Sequence, residues 1–395
     1  MTTMIRRVIA ASKNVPEWTL FLAFLLPIGV GLIQRFSRPN HWFRDYDAVS
    51  CAASRIAQHS ELYVHTTHCI LRKPTPYVYP PYLASLWSAL QHSTGISGAT
   101  ALYGGLYYFL LIYILRILIT GRSVGGQGWL RACLLTVIGA DIFICGNIAV
   151  IVHCTLALCA VLFWEIPIVL VAGIICAAAI KPIFLVYNAV FLLHPMRWRQ
   201  KIFYTGLATA GGILPFVAFM KLSPHLFTHD MALIRYYALI NDRGAGFLNL
   251  MSLIGLRQFS ADMATLYVIG VAILLSSAIY ICRVAQARAN QRIWIGITVS
   301  ILSDPRLMFY DVLTLAPGIV SLVGLSARLG RSAERVGGGL VVALCIACAV
   351  LNSRGGQYGL YVFVPAAYVL IIALAGGFLV ESWRSREQSI KGIPG

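Results

Sequence analysis

Apolar residues fall in twelve blocks along the chain, at about 18–34, 101–119, 130–145, 148–163, 168–180, 182–193, 202–220, 264–282, 292–303, 309–326, 337–352 and 358–380. A helix that crosses a bilayer core needs about 20 apolar residues. The blocks predict an all-α, polytopic membrane protein with about 12 transmembrane helices, within a range of about 10–13. The range reflects several central blocks that are shorter than a crossing. Short paired segments meeting at a polar turn are the pattern of half-buried or broken helices. The first block follows Arg6, Arg7 and Lys13 and so resembles a signal sequence. Its apolar run is too long for one and no small-x-small site follows it, so an uncleaved first helix is expected. No repeat or low-complexity tract divides the chain, which reads as a single domain over residues 1–395.

Two long intervals between blocks lie on one side, at about 35–100 and 221–263. Loops of this length are functional or disordered. The first carries Trp42, Phe43, Tyr46, Tyr63, Tyr77, Tyr79, Tyr82 and Trp87, which is too aromatic for disorder. Small and apolar residues at helical spacing over 48–58 and again over 81–91 predict two short helices on the outer membrane surface, where aromatic rings favour the headgroup level.

Composition agrees and removes two function classes. Of 395 residues 59% are apolar and 11% charged, with a mean hydropathy of +0.78. Soluble domains carry about 25% charged residues, so a water-soluble fold is excluded. A nucleic-acid binder goes with it, despite a net charge of +17. With the N-terminus in the cytoplasm, Arg122 and Arg131, then Arg197, Arg199 and Lys201, then Arg283, Arg288 and Arg292 all fall on the cytoplasmic side. Arg328, Arg331 and Arg335, and finally Arg384, Arg386 and Lys391, join them. That one-sidedness is the positive-inside signal, with both termini cytoplasmic and both long loops outside. Ten cysteines add little, because most lie in or beside the blocks, where thiols behave as small apolar groups. Cys51 and Cys69 share the first outer loop, so a disulfide is open to them in an oxidising compartment, although their spacing does not require it.

Charges at membrane depth are costly, about 2.5–3.5 kcal/mol each on insertion scales, and each needs a reason. Asp45, Asp47, Lys181, Asp304, Arg306 and Asp311 fall toward the outer face, Glu165 falls toward the cytoplasm, and Asp141 lies in or between central helices. Asp47 suits an N-cap for a helix starting near Ala48. Asp45, two residues earlier and flanked by aromatics, is less easily explained as a cap and could act as a general base toward an incoming hydroxyl. Lys181-Pro182 splits an apolar stretch, since proline ends or starts helices. The lysine could snorkel to the surface or be held for an anionic ligand such as a phosphate. Gly146-Asn147 makes a similar break, with Asn147 placed to cap the next helix. His65 and His68 have ligand-type spacing with no matching acidic partner, and the remaining histidines are scattered. No phosphate-binding glycine loop or nucleophile elbow is present.

These motifs in order resemble glycosyltransferase family 87, a group of C-type enzymes that use polyprenyl-phosphate sugars and include mycobacterial mannosyltransferases of phosphatidylinositol mannoside synthesis. Asp45-Tyr46, Glu61-Leu62-Tyr63 and Tyr77-Val78-Tyr79-Pro80-Pro81 look like its first outer loop. Gly146-Asn147-Ile148-Ala149 resembles its Gly-Gln/Asn turn, and Ala179-Ile180-Lys181-Pro182 its Ala-x-Lys-Pro break. Asn249-Leu250-Met251-Ser252-Leu253 looks like its second-loop Asn-x-x-Ser element, and Ser303-Asp304-Pro305-Arg306 with Tyr310-Asp311 resembles its late Ser-Pro turn. Asp304 interrupts the usual Ser-Pro, and Tyr310-Asp311 stands where many members carry a histidine.

The resemblance implies a C-type glycosyltransferase architecture, with Asp45 as the outer-loop catalytic aspartate. The expected reaction moves a hexosyl group, mannosyl first among candidates, from a polyprenyl-phosphate sugar to a lipid or glycan hydroxyl, with inversion. The expected place is the outer face of a bacterial inner membrane. Lys181 and Arg306 are expected to bind the donor phosphate, while Asp47, Tyr79, Asn147, Tyr310 and Asp311 shape the site. One phosphodiester can be neutralised by side chains, so no metal or other cofactor is expected. The expected partners are the lipid donor, the acceptor and membrane lipid. The rival expectation is a transporter or flippase of lipid-linked sugars, which also gathers polar residues at broken helices.

Overall fold

The computed structural model describes residues 17–36, 43–63, 76–121, 128–237, 244–253, 255, 260–352 and 358–391. All regular structure among the described residues is helical. The outer-loop residues His65 and His68 lie outside the described residues.

Each apolar block carries helix. The chain opens with α1 (Glu17–Phe36), α2 (Arg44–Ala57) and α3 (Pro81–Thr120). It continues through α4 (Gly128–Leu134), α5 (Ile148–Leu162), α6 (Pro167–Ile180), α7 (Asn188–Leu193) and α8 (Trp198–Leu222). The second long loop holds α9 (Pro224–Tyr236) and α10 (Phe247–Leu253). The last third is α11 (Ala261–Val284), α12 (Ala289–Leu302), α13 (Val312–Ser326), α14 (Arg331–Asn352) and α15 (Leu360–Lys391).

Among the described residues, six helices are long and apolar enough to cross a membrane: α3, α8, α11, the stretch Phe309–Leu329 around α13, α14, and Leu360–Ser385 within α15. Other blocks form shorter helices instead, over Gly128–Val137, Ile148–Leu162, Pro167–Ile180, Pro182–Leu193 and Ala289–Leu302. A helix of 14 residues, such as α6, rises about 21 Å, less than a hydrocarbon core of about 30 Å. The shortness has local causes. Helix α4 passes into 3₁₀ turns at Leu135–Val137 and Ala140–Phe143, and Pro182 starts another that runs to Tyr187. A proline there withholds a backbone donor and sterically stops the helix before it.

Helix α3 shows how the sequence divides its faces. Leu102, Leu106, Phe109 and Ile112 are exposed, while Tyr103, Tyr107, Leu111, Ile114 and Leu118 are buried. A contiguous apolar stripe of that size on the outside is what a lipid-facing helix presents. At the centre α12 and α13 lie against each other, and residues Ile293 through Leu302 are all buried. Gly318 permits this approach. A Cβ there would meet Thr298 Oγ1 at 1.8 Å and the Trp294 carbonyl at 2.5 Å, so the helices touch backbone to backbone.

Basic residues close helix ends at the predicted cytoplasmic side. Lys201 Nζ donates to the Leu192 carbonyl at 2.6 Å, and Arg292 Nη2 donates to that of Cys282, in the last turn of α11, at 3.3 Å. Arg131 donates to the carbonyls of Leu118 and Ile119 at the end of α3. Cations at helix C-termini satisfy orphan carbonyls and complement the helix dipole. Lys201 and Arg292 lie within electrostatic reach of one another, so these two basic clusters share one end of the molecule.

The first outer loop differs from expectation in two ways. Its first helix begins at Arg44 rather than Ala48. The second expected surface helix, 81–91, is the start of α3, which continues to Thr120 through non-helical geometry at Gly95 (φ 73°, ψ 162°).

Candidate functional site

Helix α2 is seated by its first residues. Phe43 N donates to the Ile144 carbonyl at 2.7 Å and Asp45 N to that of Cys145 at 2.9 Å. Phe43 itself is left-handed (φ 52°), and its ring lies edge-on to Tyr46, Tyr103, Tyr107 and Tyr108. Its neighbour across the turn is Gly146, with φ +62°, where a Cβ would sit 2.6 Å from Phe43 Cδ1. Only glycine meets both demands. The break at Gly146-Asn147 thus exists to receive the chain leaving the first helix.

Asn147 then does two jobs. Its Oδ1 accepts from Ala149 N at 2.9 Å, the expected cap of α5, and its Nδ2 donates to Asp45 Oδ2 at 2.7 Å. Aspartate caps helices as well as asparagine does but has no amide donor. Asn147→Asp is therefore expected to keep the thermal unfolding midpoint within a few degrees while cutting turnover at least about ten-fold, by setting a second carboxylate against Asp45. Thermal scans beside initial rates would check it; equal loss of both would leave Asn147 with only the cap.

Asp47 does not cap α2. Because the helix starts at Arg44, Asp47 lies inside its first turn, and no side-chain hydrogen bond caps the N-terminus. The hydrogen-bonded aromatic seat of Phe43 sets the start, overriding capping preference. Asp47 Oδ2 is buried without a partner, and burial followed by the charge of Asp45 pushes its carboxyl up to about 7. An unfolded aspartate titrates near about 3.9, so between these values the folded protein binds the extra proton. This group's contribution to stability is therefore full below about pH 4 and lost as pH rises through about 7. Asp47→Asn should flatten that fall. Unfolding midpoints from pH 4 to pH 8 would then run parallel only if Asp47 is not the group responsible.

Lys181 terminates α6 in extended geometry (φ −149°, ψ 123°), as the Lys-Pro break predicts. Its Nζ lies over the Tyr79 ring, 4.6 Å from the centroid, a cation–π contact. Tyr79 is 4% exposed and its carbonyl receives the Tyr63 hydroxyl at 2.8 Å. The Tyr77 hydroxyl donates to the Pro80 carbonyl at 2.7 Å, and that of Tyr82 reaches the Ala179 carbonyl, two residues before the lysine. The aromatic loop is thereby fastened onto the break.

The late turn comes to the same place. Asp304 Oδ1 accepts from Arg306 N at 2.8 Å, folding the turn on itself. The second outer loop braces it, since Ala245 N donates to the Leu307 carbonyl at 2.6 Å. The Lys181 ammonium is within electrostatic reach of Arg306, Asp304, Asp311 and Asp45. Tyr310 is likewise within reach of Asp45, Tyr79 and Arg306. Of the candidate residues, Asp45, Asn147, Tyr79, Lys181, Arg306, Tyr310 and Asp311 converge, while Glu165 sits exposed in the turn between α5 and α6.

Two residues join that sequence reasoning passed over. His153 Nε2 lies 2.9 Å from Asp311 Oδ1, off the line of a good hydrogen bond, and its Nδ1 meets the Tyr187 hydroxyl at 2.8 Å. Asp311 Oδ2 accepts from Met308 N at 2.7 Å, while Oδ1 has the histidine beside it but no hydrogen bond among the described residues. The signal was there: one histidine in an otherwise apolar helix must find a partner. The other is Asp230 of α9, buried at 2% exposure and within electrostatic reach of Lys181. Cys51 is disulfide-bonded, and Cys69, the partner left open to it by the sequence, lies outside the described residues. The other described cysteines are free thiols.

Chemically, the site offers a carboxylate held by one amide, two cations from distant segments and an aromatic wall. No protein family, curated protein or solved structure matches the chain.

Proposed function

We propose that the protein is a membrane glycosyltransferase that uses a polyprenyl-phosphate sugar, as the resemblance to family 87 suggested. The observation that carries the reading is the convergence of Asp45, Lys181 and Arg306 from three distant stretches of chain. Two cations meet one phosphodiester, and a carboxylate within reach of them meets the acceptor hydroxyl. In the reaction the bond from the sugar's anomeric carbon to the phosphate oxygen breaks, and a bond to the acceptor oxygen forms. The hydroxyl proton passes to Asp45, and the leaving phosphate keeps the electron pair, stabilised by the preorganised cations. The products are the hexosylated lipid or glycan and polyprenyl phosphate.

Inversion follows from the carboxylates. A covalent route needs a second one as nucleophile. Asp311 is tied down by Met308 N at Oδ2 and lies against His153 at Oδ1, and Asp47, two residues from Asp45 on one helix, faces another way. The reading includes about 12 helices in the membrane, the short ones serving as partial crossings beneath the outer loops. It also includes cytoplasmic termini and a site on the outer face of a bacterial inner membrane. A disulfide at Cys51 suits an oxidising exterior.

Purified protein in proteoliposomes with radiolabelled polyprenyl-phosphate mannose and a lipid extract tests this. Transfer of label to a new lipid or glycan, with release of bare polyprenyl phosphate, is the expected result without added metal. Label that crosses the bilayer on an unconsumed donor would replace the enzyme with a transporter.

A further inference from the structure

Asp230 is a buried acid of the outer site that the reaction above does not use. It lies on α9, with 2% of its surface exposed, and its Oδ1 has no hydrogen-bond partner among the described residues. Its surroundings come from both outer loops and the lysine break: Tyr63, Tyr77 and Tyr82 are within electrostatic reach, as is Lys181. Each of the three phenols donates its proton elsewhere. Tyr63 gives it to the Tyr79 carbonyl, Tyr77 to that of Pro80 and Tyr82 to that of Ala179. A buried acceptor ringed by hydroxyls that all point their protons away is a group awaiting a donor from outside.

We propose that Asp230 is the sugar-recognition carboxylate of the donor site, accepting hydrogen bonds from hydroxyls of the hexose whose phosphate lies at Lys181 and Arg306. This rests on the reading of those cations as a donor-phosphate site. A pyranose fits the surroundings in both its aspects. Its hydroxyls supply the missing donors, and its C–H faces suit the aromatic rings beside the acid. A bare lipid phosphate does not fit. It brings no sugar hydroxyl, and it sets its negative charge near an acid whose Oδ1 it leaves without a donor. Asp230 therefore separates substrate from product: once the hexose has been transferred, the polyprenyl phosphate left behind has lost the group that pairs with the acid, and it departs more readily.

Equilibrium binding to the full-length protein in lipid nanodiscs, with polyprenyl-phosphate mannose and polyprenyl phosphate as the two probes, tests the proposal. The wild type should prefer the mannosylated lipid by about 10-fold or more, the scale of a hydrogen bond to a charged group. Asp230→Asn should lose that preference through weaker binding of the mannosylated lipid, with bare lipid bound as well as before or better. A second measurement needs no variant. Burial pushes the Asp230 carboxyl up to about 7, so it is protonated enough near neutrality to react with a hydrophobic carbodiimide. The mannosylated lipid should protect Asp230 from labelling, mapped by mass spectrometry, and bare lipid should not. If the wild type binds both lipids while Asp230→Asn keeps the preference, or if both lipids protect Asp230 equally, the assignment of Asp230 alone is wrong. A wild type that binds both lipids with equal affinity overturns it too. A wild type that binds neither lipid removes the donor-site reading, and this proposal with it.

Discussion

Asp45→Asn is expected to lower sugar transfer by at least about 100-fold, the lower end of what a positioned general base contributes. The substitution is close to a pure test of basicity. Asp45 is held by its backbone donor to the Cys145 carbonyl and by its Oδ2, which accepts from Asn147 Nδ2 at 2.7 Å. An asparagine keeps the backbone bond and offers an amide oxygen to Asn147, so helix α2 has no reason to shift. What disappears is the ability to take a proton. The variant should insert, unfold at the wild-type temperature and bind polyprenyl phosphate as before, while its turnover collapses. Undiminished turnover would end the role of Asp45, and loss of lipid binding along with turnover would show that the acid organises the site rather than activating the acceptor.

The second large effect concerns the cations. Lys181→Met and Arg306→Met should each weaken donor binding by about 10- to 100-fold, from loss of a charge-assisted contact worth about 1.5–3 kcal/mol. The double variant should lose less than the product of the two. Lys181 and Arg306 are like charges within electrostatic reach of one another, so removing either one relieves a repulsion that the other feels. The same repulsion makes a prediction for stability. A donor phosphate cancels it, so the lipid should raise the unfolding temperature of the wild type more than that of either single variant, at matched saturation. Additive losses, or equal thermal shifts in all three proteins, would place the two side chains at separate sites.

Much of this site could be read from the chain because its breaks are chemical. Gly146-Asn147 and Lys181-Pro182 interrupt apolar runs with residues whose backbone preferences leave few alternatives, and both are helix boundaries in the fold. The start of α2 could not be read that way. Capping preference favoured Asp47, but four aromatic rings around Phe43 and two backbone hydrogen bonds place the boundary earlier, and such contacts have no local signature. Length misled as well. Apolarity marks every block, yet whether a block completes a crossing depends on where 3₁₀ turns interrupt it. His153 and Asp230 were illegible for another reason. A single polar residue on a helix means little until its neighbours are known, and the partner of His153 is Asp311, far along the chain. The late turn carries no histidine of its own, and α5 delivers one to it through space.

The contact at Gly318 reaches beyond stability. Helices α12 and α13 flank the loop that carries Asp304 and Arg306, and they touch where a methyl group would collide with the Trp294 carbonyl, an atom that no side-chain exchange can move. Any drift in the course of evolution that put even alanine at position 318 would wedge the two helices apart and tilt their connecting loop away from Lys181. Residue 318 is held to hydrogen for as long as the loop keeps its aim.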